Sequence, residues 1–136
     1  MDKVKWREEF CTGVEFLDEA SRNLLDLIND MIEIRNSEEK DNQHLSSLLS
    51  QIQDFALMHF VLEERFLVKL HQGDFPDHKA QHTLFKKKLA FFCYEMTNKP
   101  QEASLDEFCE FLGSWFEQHC LSSRESIIQF CNKKTC

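Results

Sequence analysis

The sequence predicts an all-α fold, an antiparallel up-down four-helix bundle with an extended N-terminal arm. Three observations predict it. The 136 residues include only 3 glycines and 2 prolines, too few breakers for a many-turned β-protein. Four stretches carry apolar residues at helical spacing. The segments between them are short, which makes consecutive helices antiparallel neighbours in a bundle. A hydrophobic fraction of 42% supports a packed core and is too high for a disordered chain. With 13 phenylalanines, that core should be dominated by aromatic packing. For this length, one domain over residues 1–136 is expected.

Residues 1–17 read as the arm, because Trp6, Phe10, Val14 and Phe16 lack sustained helical spacing. The first helix is expected over about 18–34, with Asp18 suited to cap it and Leu24, Leu25, Leu27, Ile28, Met31 and Ile32 forming its stripe. The segment RNSEEKDN breaks that pattern and reads as a loop. The second helix is expected over about 42–70, with its stripe running from Leu45 through Ile52, Phe60 and Leu67. His71 and Gly73 give it a basic-then-glycine ending. The third helix follows FPD over about 77–97 and carries Phe85, Leu89, Phe92 and Met96. The fourth is expected over about 104–130, where Ser104 and Glu107 make a capping box ahead of Phe108, Phe111, Leu112, Trp115 and Phe116.

The formal net charge of -8 disfavours nucleic acid and anionic membrane as partners. No apolar run is long enough to span a bilayer, and MDKVKWREEF lacks the apolar stretch of a signal peptide. The expectation is therefore a cytoplasmic protein whose six cysteines remain thiols. Cys93, Cys109 and Cys120 fall in apolar helical patterns and read as buried core residues. Cys131 and Cys136 stand near the chain end, where a redox pair is the weaker reading of CNKKTC. There is no nucleophile–base arrangement and no phosphate loop, so no enzyme is expected. Slow peroxide or NO chemistry at a metal stays open.

The chemistry resides in five side chains. His59 and Glu63 stand four apart in MHFVLEERF, His78 and His82 four apart in DHKAQHTLF, and His119 follows Trp115 in WFEQHC. Residues four apart share a helix face, so three helices would present imidazoles and a carboxylate inward. Left unpaired, such groups would cost several kcal/mol each in a core, and a bound cation removes that cost. Imidazole with carboxylate suits iron, zinc, manganese or copper. Glu64 reads as solvent-exposed or capping a neighbour, and His44 and His71 read as exposed.

On these motifs the chain resembles the hemerythrin family, particularly its bacterial members, over nearly its whole length. GVEFLDEASRNLLDLIN resembles the family's opening, FALMHFVLEERF its His-Phe-x-x-Glu-Glu signature, FPDHKAQHTLF its Pro-then-HxxxH signature and WFEQHC its Trp-x-x-x-His. The resemblance implies iron as cofactor, in the family's case two ions with an oxo or hydroxo bridge and reversible O2 binding. It implies that His78, His82 and His119 serve one iron, His59 serves the other, and Glu63 bridges them.

Two positions depart from the pattern. Ser21 stands where the family has a histidine ligand, and Arg124 stands where it has a bridging aspartate. A guanidinium cannot ligate and would repel a second dication. Arg124 could pair electrostatically with Glu63 or point to solvent, and Glu125 could replace the bridge only with a helix rotation of about 100°. The leading expectation is an altered, mononuclear non-heme iron centre that binds or senses O2, NO or redox state. An intact diiron O2 carrier or store is the alternative. A metal-free or zinc-stabilised interaction or signalling bundle is the third reading. The small partner is a diatomic such as O2 or NO, and sequence gives no protein partner.

Overall fold

In a computed structural model, which describes residues 1–70 and 76–131, the chain forms four helices: α1 (Glu15–Asn36), α2 (Asn42–Lys69), α3 (Pro76–Asn98) and α4 (Leu105–Cys131). A short 3-10 turn, Glu8–Phe10, precedes them. Each helix packs on its neighbour in sequence, and α4 closes back on α1. This is the ring of an up-down bundle, as the stripes and short connections imply. Among the described residues no helix is long and apolar enough to cross a membrane. The expectations placed on His71, Gly73 and Cys136, and on the Cys131 side chain, lie outside what is described.

Aromatic rings organise the core, as the phenylalanine content predicts. Phe60, Phe85 and Phe116 are fully buried beside Ile28, Met31, Ile32, Leu48 and Ile52. Phe92 stacks on Phe108 with centroids 4.4 Å apart, joining α3 to α4. Phe60 meets Phe85 edge-on at 5.4 Å, joining α2 to α3. Two caps fix helix starts: Asp41 accepts from the His44 amide at 3.1 Å, and Ser104 Oγ accepts from the Glu107 amide at 3.1 Å.

The arm is tied down at both ends. The Asn29 side chain pairs with both the amide and the carbonyl of Val4. Trp6, Phe10 and Phe116 form a run of edge-on rings. The structure corrects the role expected for Asp18. α1 starts earlier, with Val14 at its N-cap and no side-chain cap, so Asp18 lies inside the first turns. Its buried carboxylate faces back and accepts from the Thr12 amide, the Thr12 hydroxyl and the Gly13 amide at 2.8–3.1 Å. Gly13 has φ 84°, a left-handed conformation that glycine adopts without steric cost. That turn is what brings the arm's donors onto Asp18.

The expectation of six thiols is also corrected. Cys11, fully buried, is disulfide-bonded. Cysteine spacing says nothing about which segments a folded-back arm will meet. Cys93, Cys109 and Cys120 are free. Burial pushes the thiol pKa up at all three, to about 12 at Cys109.

Candidate metal centre

Four of the five singled-out side chains converge. Glu63 comes from α2, His78 and His82 from α3, and His119 from α4. One ligand-type atom from each lies within 4.8 Å of every other, and all four residues are buried. Glu63 Oε1 is the focus. It lies 3.0 Å from His82 Nε2 and 3.0 Å from His119 Nε2, and it also contacts His78 Nε2. His59 is buried next to the group, with its Nε2 3.4 Å from the other carboxylate oxygen. Its Nδ1 is a buried polar atom without a partner among the described residues.

The outer nitrogens decide what the inner ones can do. His82 Nδ1 faces Glu64 Oε2 at 2.9 Å, and a carboxylate oxygen only accepts. A His82 ring that gives its Nδ1 proton to Glu64 has an Nε2 lone pair to offer inward. His119 Nδ1 donates likewise to Gln81 Oε1 at 2.8 Å, and the Gln81 amide nitrogen donates to Ser122. The Trp115 indole N–H donates to the Gln81 carbonyl at 2.9 Å, so α4 holds the residue that orients its own histidine. Phe60 lies flat on the His82 ring at 4.0 Å, and Trp115 lies flat on His119 at 4.5 Å. The two rings wall the imidazoles off from water.

Two electrostatic tendencies conflict here. Burial alone would raise the Glu63 carboxyl, but the close contacts with His119, His59 and His78 hold it well below the usual range. Yet burial pushes His119 down to about 4, against the pull of Glu63, and so strips that imidazole of charge at neutral pH. An ionised carboxylate thus faces the neutral imidazole of His119, whose inner nitrogen points at it. A cation at the convergence satisfies both tendencies. Neutral imidazoles with one carboxylate are a donor set for a transition-metal ion.

Several residues stand elsewhere than expected. Glu64 is half-buried and engaged with His82, which corrects the reading of it as an exposed or capping residue. Arg124 makes no pair with Glu63; it lines a surface groove with Glu9, Leu121, Glu125 and Ile128. Glu125 is exposed. The interior position falls instead to Ser123, buried, with Oγ 3.5 Å from Nε2 of both His78 and His119. Ser21 interacts with the Cys120 thiol. His44 is exposed, as expected. Sequence reasoning missed Gln81, Ser123 and the orienting role of Glu64. Gln81 had one signal, a polar residue immediately before a ligand-type histidine.

Comparison with known proteins agrees with this geometry. A family model described as the hemerythrin HHE cation binding domain matches residues 12–131. A bacteriohemerythrin of Clostridium acetobutylicum is 24% identical over 125 residues, covering 90% of this chain and 97% of its own. A bacteriohemerythrin of Methylococcus capsulatus is 27% identical over 114 residues, 82% of each chain. A hemerythrin-like protein of Naegleria gruberi is 34% identical over 80 residues, 59% of this chain and 60% of its own. No solved structure gives a significant match.

Proposed function

Because this chain belongs to the hemerythrin family of cation-binding domains, we propose that it holds a single non-heme iron ion and uses it to bind or sense a diatomic ligand or redox state. His78, His82, His119 and Glu63 would hold the ion. One observation carries the reading: the inner nitrogens of His78, His82 and His119 converge on a buried carboxylate, while Glu64 and Gln81 stand as acceptors at the outer nitrogens of His82 and His119. A cation at that point gives the carboxylate and the inner nitrogens a common partner. When bound, iron would supply a Lewis-acidic, redox-active centre. The chain's own contribution is to fix tautomers through Glu64 and Gln81, to exclude water with Phe60 and Trp115, and to present the Ser123 hydroxyl beside two of the imidazoles.

A second ion is poorly provided for. Among the described residues, His59 and the outer oxygen of Glu63 are the groups next to the cluster. Arg124 faces the surface groove and Ser21 is engaged with Cys120. The unpartnered His59 Nδ1 favours the diiron alternative to the extent that a ring rotation would offer it as a ligand. Elemental analysis of freshly purified protein with an optical spectrum separates the cases. About one iron per chain, without oxo-bridge bands, is the expected result. Two irons with those bands would overturn the mononuclear reading, and failure to retain any transition metal after reconstitution would overturn both.

A further inference from the structure

The outward face of α2 carries a stripe that the metal centre does not use. Leu57, Met58, Val61, Leu62 and Val68 are all large apolar side chains with 42–68% of their surface exposed. At about 100° per residue they share one face of the helix, opposite the face that buries Ile52, Ala56, Phe60, Glu63 and Leu67. Single exposed apolar residues are ordinary, but five on one face of one helix form a patch of the kind that marks an interaction site. Two exposed charges of opposite sign, Asp54 and Arg65, lie on the same face and bracket its main part.

The order of these residues says what covers them. Read backwards, the stripe is its own complement. If a second copy of α2 lies antiparallel across a two-fold axis passing level with the midpoint between residues 59 and 60, Leu57 faces Leu62 and Met58 faces Val61. In the same register Asp54 faces Arg65, and the symmetry forms that ion pair twice, about 16 Å apart along the helix. No shift of register keeps both the apolar pairs and the charge pairs. We infer that the outer face of α2 is a homodimer interface in which two copies pack antiparallel through Leu57, Met58, Val61 and Leu62, with reciprocal Asp54–Arg65 pairs fixing the register. The same helix then presents Glu63 to the metal centre on one side and the apolar stripe to the partner copy on the other.

Sedimentation velocity over a concentration series tests this on the full chain. The wild-type protein should move from monomer towards twice its 16.2 kDa mass, and Val61→Glu should stay monomeric. Asp54→Arg and Arg65→Asp should each weaken self-association by at least about tenfold, because each replaces two attractions with two repulsions. Mixed in equal amounts, these two variants should regain a dimer, since the cation introduced in one chain then meets the carboxylate introduced in the other, and the native Asp54 and Arg65 that remain pair likewise. The double variant Asp54→Arg/Arg65→Asp should also dimerise, and unchanged helical circular dichroism shows that each variant is folded. A wild-type protein monomeric throughout, a dimer that survives Val61→Glu, or charge variants that fail to complement each other would each overturn the proposal.

Discussion

Gln81 and Glu64 act without touching the point where the imidazoles meet. Each takes the outer proton of one histidine, at 2.8 and 2.9 Å, and so decides which nitrogen is free. Gln81→Ala and Glu64→Ala should each lower metal affinity by roughly 10–100-fold while leaving the stoichiometry unchanged; competition with a chelator of known affinity measures this. His82→Ala should abolish stoichiometric binding, and His44→Ala, at an exposed position, should not. The histidines and Glu63 were legible because a four-residue spacing on a helix carries direction as well as identity. Their orienting partners were not. A glutamine or a second glutamate beside a ligand-type residue looks like any solvated polar residue until a neighbouring helix supplies the group it faces.

At the scale of elements, the junction of arm and α1 depends on one carboxylate. Asp18→Ala would leave the Thr12 and Gly13 amides without their acceptor, at a cost of about 2–4 kcal/mol in chemical denaturation. Ser104→Ala, which removes the α4 cap, should cost about 1 kcal/mol. The four helices could be read from periodicity because each buries one stripe. Asp18 was misread because its type suits a helix start, and nothing in sequence marks the turn at Gly13 that lets α1 begin earlier. The disulfide at Cys11 was illegible for a related reason: the arm's path is set by packing against the bundle, which leaves no periodic signature.

Over the whole molecule, the centre links acidity to stability. His119 has its pKa lowered from 6.5 to about 4 in the fold, so between those values the unfolded chain binds more protons than the folded one. Stability therefore falls as pH drops from about 6.5 to about 4. Glu63, with its carboxyl held well below the usual range, adds loss in the same direction at lower pH. Thermal melts of the metal-free protein at stepped pH should show the midpoint falling through this window, and His119→Gln should flatten the change. Metal binds only the folded arrangement, so loading should raise the midpoint, and the rise should disappear in His78→Ala.

The indole of Trp115, lying flat on His119 at 4.5 Å, gives the molecule an optical gauge of its own. Trp6 sits on the arm, under the Arg22 guanidinium. An open-shell ion seated among the imidazoles would drain the emission of the indole that lies against one of them. Occupancy can then be followed by ultraviolet light alone in a Trp6→Phe protein, where Trp115 is the one indole left.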